Sequence, residues 1–260
     1  MNTQTMTKQS IVSLIAIAGT HALGAPRDVQ IVHVDTAAHV LTITNTGEET
    51  TSLAGWRFCS HNTSQVRRYT SPVGLVDFEL APSAAITIHL NNDADAGNSS
   101  QVNASDIGAI ADFELDAFAI GLYFPNEGGL TPFGDGSFLA DHIQWSLDGA
   151  DNASADERSD EAEDGGVWTD QSAWISVTST TTSIELNDSS FGELHGPGDY
   201  IVHEPCVADL TGDGELDFFD VSEFLDAFGA MDPVADFTGD GAFDFFDVSD
   251  FLDAFGAGCP

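Results

Sequence analysis

Near its end the chain reads DLTGDGELDFFDVSEFLDAFG (209–229) and then, 27 residues further on, DFTGDGAFDFFDVSDFLDAFG (236–256). The two stretches are identical at 17 of 21 positions. Such self-similarity at a fixed period indicates an internal repeat in which each copy forms one structural unit. Each copy starts with alternating acids and glycines and continues into an apolar pattern, so the sequence predicts a loop followed by a helix, twice.

Each acidic loop places oxygen ligands at the spacing of an EF-hand-like calcium loop, with a glycine at the sharp turn. Gly214 and Gly241 occupy those turns. The predicted ligands, with Glu215 and Ala242 contributing backbone carbonyls, are Asp209, Thr211, Asp213, Glu215, Asp217, Asp220, Asp236, Thr238, Asp240, Ala242, Asp244 and Asp247. Crowded carboxylates repel one another unless a cation offsets them. The loops lack Cys and His, which disfavours zinc, and magnesium prefers a tighter, wetter shell. The pattern predicts two bound Ca²⁺ ions, and the alternative is two solvated acidic turns.

The apolar residues after each loop recur at helical spacing. They are Val221, Phe224, Leu225 and Phe228 in the first copy, and Val248, Phe251, Leu252 and Phe255 in the second. Gly229 and Gly256 are expected to end the helices. Two helices this short cannot bury enough apolar surface to be stable alone. We therefore expect metal binding to be coupled to the folding of this unit.

The amino terminus has the features of a secretory signal peptide. Lys8 precedes an apolar run at 11–19, and Ala22 and Gly24 provide the small residues that a signal peptidase prefers. The run is far shorter than the roughly 20 residues that span a bilayer. The sequence predicts a signal over residues 1–24, and hence a secreted, extracellular or cell-surface protein with no membrane span after cleavage.

Export bears on the three cysteines, because pairing is the default in an oxidising compartment. Cys206 and Cys259 bracket the repeat, and we predict a disulfide between them. Cys59 is expected to be buried as a small apolar side chain. The alternative is a nucleophilic Cys59 whose pKa is lowered by Arg57 and His61, provided that this face of the strand is exposed.

Residues 206–260 resemble a dockerin domain, the duplicated calcium-loop and helix module that attaches secreted proteins to cohesin-type receptors or surface assemblies. The ending AFGAGCP, with a cysteine at each end of the unit, is similar to the GC-type dockerins at the C-termini of exported bacterial proteins. The resemblance implies calcium-dependent docking on a cohesin-like or other surface receptor protein.

Two features depart from the dockerin pattern. Thr211 and Thr238 replace the usual Asn or Asp at the third loop position. Loop positions ten and eleven carry aromatic pairs where dockerins place small polar residues that touch cohesin; these are Phe218, Phe219, Phe245 and Phe246. We predict that these rings form a more apolar partner-binding surface, and the alternative is that at least one ring of each pair packs in the core.

The charge balance limits the partners of the whole chain. It contains 43 Asp and Glu against 6 Lys and Arg, for a formal net charge of −37. A nucleic-acid binder needs clustered basic residues, so this class is excluded, and an anionic membrane surface is disfavoured. The chain is nevertheless 42% hydrophobic and 10% aromatic, which is sufficient to form apolar cores.

The larger part of the chain, 27–191, predicts short strands separated by turns and no sustained helix. Candidate strands are 39–45, 85–90, 117–124, 142–146 and 173–177. The fold class expected is mostly β, with a β-sandwich followed by a small α-helical unit. We expect a mobile acidic loop over 147–164, where acids greatly outnumber arginines, and a linker over 192–205.

VLTITNTGEETTSLAGWRF (40–58) and DHIQW (141–145) resemble the lamin-tail domain, an immunoglobulin-like β-sandwich. The resemblance implies a binding or spacer role and assigns Trp56, Trp145 and Trp168 to the core rather than to a sugar-stacking platform. No serine-hydrolase elbow, zinc-protease motif or phosphate loop occurs in the sequence, so no catalytic residue is predicted.

The sequence therefore predicts a secreted, non-catalytic modular protein anchored through its calcium-dependent tail. Two alternatives share the same tail: a carbohydrate-active or ester-cleaving enzyme, for which a carboxylate pair could serve, and a carbohydrate-binding module that takes a polysaccharide.

Overall fold

Strands form most of the regular structure in this computed structural model, which describes residues 28–259 except 65–66, 96, 127–130, 152–157 and 193. The predicted signal peptide lies outside the described residues. The strands are β1 (Val29–Asp35), β2 (Val40–Asn45), β3 (Thr51–Ser52), β4 (Arg57–Asn62), β5 (Arg68–Tyr69), β6 (Glu79–Leu80), β7 (Ala85–His89), β8 (Gln101–Asn103), β9 (Ala117–Tyr123), β10 (Leu139–Leu147), β11 (Ile175–Val177), β12 (Ser183–Leu186) and β13 (Tyr200–His203). The helices are α1 (Ala104–Ile107), α2 (Ser159–Asp164), α3 (Phe218–Ala230) and α4 (Phe245–Ala257).

The strands make two main sheets. One has six strands in the order β13-β12-β1-β2-β7-β8, and the other has five in the order β11-β10-β9-β4-β5; β3 and β6 form a small pair of their own. Most pairs are antiparallel, but β7–β8 and β10–β11 are parallel. The alternation in β2 places Leu41 and Ile43 in the core and leaves Thr42 and Thr44 half-buried. The expected β-rich fold is confirmed.

The two sheets share one apolar core, as in a sandwich. At its centre the rings of Phe118 and Trp145 stack at 4.7 Å, and Phe113 meets both edge-on. Trp56 and Trp168 are also buried, so the prediction that these tryptophans belong to the core is confirmed. Trp145 Nε1 donates to the carbonyl of Glu114 at 3.0 Å, which satisfies the polar end of the ring.

The stretch expected to be a linker, 192–205, is partly a strand. β13 pairs with β12 in antiparallel register, with Ile184 opposite Val202. The edge of the sheet captures these residues because Tyr200 is buried against the core while Ile201 faces outward. The six-stranded sheet therefore continues to His203, twelve residues beyond the predicted boundary at 191.

The acidic segment also differs from expectation at its carboxyl end. Within 147–164, α2 forms because Ser159 and Ala162 are buried, and Arg158 pairs with Glu161 at 2.9 Å. The hydroxyl of Ser159 donates to Oε1 of the buried Gln144 on β10. Packing against the sheet thus orders a stretch whose composition predicted a mobile loop. In the described ranges, no helix is long and apolar enough to cross a membrane.

Candidate metal centre

The repeated stretches form two loop-and-helix units whose helix starts have the same local hydrogen bonds. Asp217 and Asp244 cap α3 and α4, and each accepts from the backbone N–H two residues on. Asp220 and Asp247 return the bond, since each carboxylate accepts from the N–H of its capping residue at 2.9 and 2.8 Å. These reciprocal capping boxes fix where each loop ends and each helix begins. Sequence reasoning missed them, although the Asp-x-x-Asp spacing carries the signal.

The two helices pack through aromatic rings. Phe224 and Phe251 stack with centroids 4.1 Å apart and planes 3° from parallel, and both are fully buried. Phe237 meets both rings edge-on. Leu225 and Leu252, which the periodicity assigned to the packed face, are instead 57% and 53% exposed. The packed faces of the helices therefore include Phe224 and Phe251 but not the leucine that follows each of them.

The first acid of each loop shapes the turn. Asp209 accepts from the N–H groups of Gly212 and Gly214 at 2.7 and 2.8 Å, one on each carboxylate oxygen. Both glycines have positive φ, 71° and 83°, a conformation that side chains rarely adopt. In the second loop Asp236 accepts from Gly241 at 2.9 Å. Gly239 and Gly241 also have positive φ, 69° and 78°, so the second loop turns in the same way, although its Gly239 N–H donates to the backbone carbonyl of Asp236 at 3.3 Å.

The last acid of each loop is buried. Asp220 and Asp247 are inaccessible to solvent. Oδ1 of Asp220 accepts from the backbone N–H and the hydroxyl of Thr211, both at 3.1 Å. Oδ1 of Asp247 accepts from the same two groups of Thr238 at 3.1 and 3.0 Å. The threonines at the third loop position thus hydrogen-bond to the last acid of the loop. The sequence predicted them only as metal ligands.

Hydrogen bonds keep these buried acids ionised. The backbone N–H of Asp217 is the main cause that holds the pKa of Asp220 below its ordinary value, and Thr211 adds to it against the opposing effect of burial. The N–H of Asp244 and the groups of Thr238 lower the pKa of Asp247 in the same way. Each loop therefore presents a buried anion at neutral pH.

Other predicted ligands are turned toward the loop backbone. Asp213 and Asp240 accept from the N–H two residues further on, those of Glu215 and Ala242, at 2.9 and 2.8 Å. Within the described part of the chain, no three His, Cys, Asp or Glu side chains stand close enough together to hold a metal ion. The donor set itself fits Ca²⁺, because it consists of hard oxygens that include an ionised, buried carboxylate in each loop.

A disulfide joins Cys206 to Cys259, with their Cα atoms 4.8 Å apart, so the predicted pairing is confirmed. It closes the unit across a sequence separation of 53 residues. Cys59 on β4 is 2% exposed, and His61 on the same strand is buried as well. The nucleophile alternative required an exposed strand face, and it is wrong on that point.

No family model matches this chain, and no curated protein matches it. Among solved structures, the chain is similar to the crystal structure of a DUF4876 family protein from Bacteroides thetaiotaomicron VPI-5482. The identity is 11%, the match covers 69% of this chain and 68% of that chain, and the TM-score is 0.39. A likeness this distant carries no argument about the function of the chain.

The four phenylalanines at the starts of the helices face solvent. Phe218, Phe219, Phe245 and Phe246 are between 66% and 75% exposed, so the alternative that one ring of each pair packs in the core is wrong. Each pair follows directly on a capping aspartate and precedes the buried acid of its loop by one or two residues. The acidic loops and the exposed rings are therefore parts of the same two surfaces.

Proposed function

We propose that this protein is a secreted, non-catalytic modular protein whose dockerin-like carboxyl-terminal unit anchors it, in a calcium-dependent manner, to a receptor on the cell surface or in an extracellular assembly. The observation that carries the proposal is the repeat of one loop geometry. In both copies a buried, ionised aspartate ends an acidic loop that two exposed phenylalanines adjoin. In this proposal, the lamin-tail-like, immunoglobulin-like sandwich is the part of the protein that the dockerin-like unit attaches to the receptor.

The loops would hold the two ions through the ligands that the spacing assigns, from Asp209 to Asp220 and from Asp236 to Asp247. Bound Ca²⁺ supplies positive charge that offsets the crowded carboxylates. The chain's own contribution is to fix the loop ends. Asp209 and Asp236 hold the turn glycines, and the capping boxes tie the last acid of each loop to the start of its helix. Filling the loops therefore stabilises the first turns of α3 and α4.

The exposed phenylalanines are the surface that we assign to the receptor. Large rings at this exposure are uncommon unless they contact a partner, and two equivalent pairs offer two equivalent contacts. Acids surround them, since each pair lies between a capping aspartate and a buried aspartate. A cohesin-like or other receptor that fits would present apolar pockets bordered by basic residues.

The disulfide supports the assignment to an exported protein, because such bonds persist in oxidising compartments. It also supports a small unit that needs covalent and metal crosslinks, since each of its helices has only 13 residues.

The direct experiment is native mass spectrometry of the full chain with Ca²⁺ at millimolar concentration. We expect two retained ions, and none in the variant that combines Asp213→Ala with Asp240→Ala. The matched control combines Asp226→Ala with Asp253→Ala, which removes the same charge from exposed helix positions outside the loops. Retention of no calcium by the wild-type chain, or equal loss in both double variants, contradicts the proposal.

A further inference from the structure

A cavity opens at the edge of the six-stranded sheet, and the described residues that line it all precede the repeated loops in the sequence. It has a volume of about 410 Å³, within the ~300–1,000 Å³ usual for small-molecule sites. Its walls come from the loop between β7 and β8, from β8 itself, from α1 and from the segment before β6. The residues that decide its chemistry are Asp77, Phe78, Asp95, Gln101, Asn103 and Asp106.

The loop that forms one wall is held in place by side chains of β8. The N–H of Asp95 donates to Oε1 of Gln101 at 2.8 Å, and the N–H of Ala94 donates to Oδ1 of Asn103 at 3.0 Å. At the start of the same loop, His89 contacts Asp93 at 2.7 Å. A wall fixed by its own hydrogen bonds needs little ordering when a ligand binds, which favours affinity.

The same bonds determine which polar atoms of the wall are left as donors and which as acceptors. Because the carbonyl oxygens of Gln101 and Asn103 accept from the loop, their amide nitrogens act as donors. Nδ2 of Asn103 donates one of its two N–H groups to Oδ2 of Asp106 at 3.3 Å. The carboxylates of Asp77, Asp95 and Asp106 are acceptors. The cavity therefore offers donors and acceptors side by side.

The cavity also has an apolar floor. Phe78 is half-buried, packs against the main core and lines the cavity. Val102, largely buried on β8, lines the cavity as well. Next to this floor, His89 occupies the strand position paired with Asn103, and its Nε2 is buried without a hydrogen-bond partner among the described residues.

This combination selects one class of ligand. Three carboxylates repel an anion, and the amide N–H groups beside them are donors, which cannot coordinate a cation. A hydroxyl group both donates and accepts, so it matches a wall that alternates carboxylates with amides. A pyranose ring also has an apolar C–H face that packs on an aromatic ring. We infer that this cavity binds a neutral saccharide, with hydroxyls on the Asp and amide groups and a ring face on Phe78.

The inference is independent of the calcium-dependent tail, because every residue named lies in the sheet-forming part of the chain. The test is saturation-transfer NMR of the full chain with neutral mono- and disaccharides of gluco, galacto, manno and xylo configuration. We expect saturable transfer to the ring protons of at least one of them, unchanged by a chelator. Absence of saturable transfer from all four sets overturns the inference.

Two double variants assign the binding to this cavity. Asp77→Asn with Asp106→Asn keeps the size of both side chains and alters two acceptors; we expect affinity for the bound sugar to fall at least tenfold. Asp250→Asn with Asp253→Asn makes the same charge change on exposed positions of α4 and should leave affinity unchanged. Phe78→Leu should also weaken binding while thermal unfolding shows a folded chain.

Three outcomes contradict the inference: equal affinity in the Asp77/Asp106 variant and wild type, equal loss in both double variants, or sugar binding that requires Ca²⁺. The chelator arm also separates this inference from the proposed function. If calcium loading fails while sugar binding is intact, the inference about the cavity stands and the proposed function does not. If calcium loads and no sugar binds, the proposed function stands and the inference about the cavity does not.

Discussion

The carboxylate of Asp141 lies 3.4 Å from Nδ1 of His195, and both side chains are inaccessible to solvent. Asp141 belongs to the five-stranded sheet, yet its Oδ2 accepts the N–H of Ile31, a residue of the six-stranded sheet, at 2.6 Å. Its Oδ1 accepts the N–H of His142 at 2.7 Å. One buried acid therefore connects both sheets with the segment that leads into β13.

We predict that Asp141→Ala destabilises the sheet-forming part of the chain by several kcal/mol. The substitution leaves at least two buried N–H donors without this acceptor, and each unsatisfied donor costs about 1–3 kcal/mol. Urea unfolding followed by tryptophan fluorescence measures the loss. Asp188→Ala, at an exposed position, is the matched control and should stay within about 0.5 kcal/mol of wild type. Equal effects of the two changes contradict the prediction.

The sequence predicted the features that depend on local order. Alternation located β2, short apolar runs located β7 and β9, the loop spacing located both acidic loops, and the cysteine positions predicted the Cys206–Cys259 bond. Contacts between distant segments were not predictable. The Asp141–Ile31 bond spans 110 residues, and β13 is a strand because an unpaired edge of β12 is available. Leu225 fits the helical period but is exposed, because the small core around Phe224 and Phe251 does not extend to it.

The pKa of Glu204 gives a prediction about pH. Partial burial raises this pKa, but the hydroxyls of Thr181, Thr180 and Thr178 donate to the carboxylate and hold the pKa below its ordinary value near 4.5. A lowered pKa in the folded state stabilises the fold above the pKa of the unfolded state, and this stabilisation is lost as pH falls through the folded pKa.

We therefore expect Glu204→Gln to lower the melting temperature at pH 7 and to have no effect once the pH is well below 4.5. Melting curves from pH 3 to pH 7 measure the difference between wild type and variant. Thr180→Val keeps the carboxylate but removes one donor, so it should reproduce part of the difference at pH 7. A difference that is the same at every pH contradicts the assignment. The effect is small because the carboxylate is only partly buried, so that solvent screens its interactions.

Opening the Cys206–Cys259 disulfide should weaken calcium binding. In the chain-entropy model a crosslink over about 50 residues contributes about 4 kcal/mol to the stability of the unit it closes. Because metal binding is expected to be coupled to folding there, reduction should shift the calcium titration to higher concentration. The variant with Cys206→Ser and Cys259→Ser should show the same shift without reductant and no further shift with it. A titration that reduction leaves unchanged contradicts the coupling.

Phe224→Ala should unfold the carboxyl-terminal unit without affecting the sheets. The ring is fully buried and stacks on Phe251, and removing a buried phenylalanine costs about 3–5 kcal/mol, a large fraction of what so small a unit can have. Far-UV circular dichroism should lose helix, while tryptophan fluorescence stays native, because all four tryptophans precede the repeat. Retention of the full helical signal is the contrary result.

The exposed phenylalanines should behave in the opposite way. Replacing Phe218, Phe219, Phe245 and Phe246 together by Ser removes rings that contribute little to the core, so the helical signal and calcium loading should match those of wild type. Capture of the receptor from the native surface fraction should be lost, since the proposed contact depends on these rings. Leu225→Ser with Leu252→Ser is the control, because it also removes exposed apolar surface from α3 and α4 but away from the loops. If the variant with all four phenylalanines replaced still captures the receptor and the leucine variant does not, the contact lies on the leucine face instead.

Variants with only one phenylalanine pair replaced test whether the two contacts are equivalent. If they are, changing one pair should reduce capture less than changing both. Complete loss of capture from either single pair shows that the two surfaces act together.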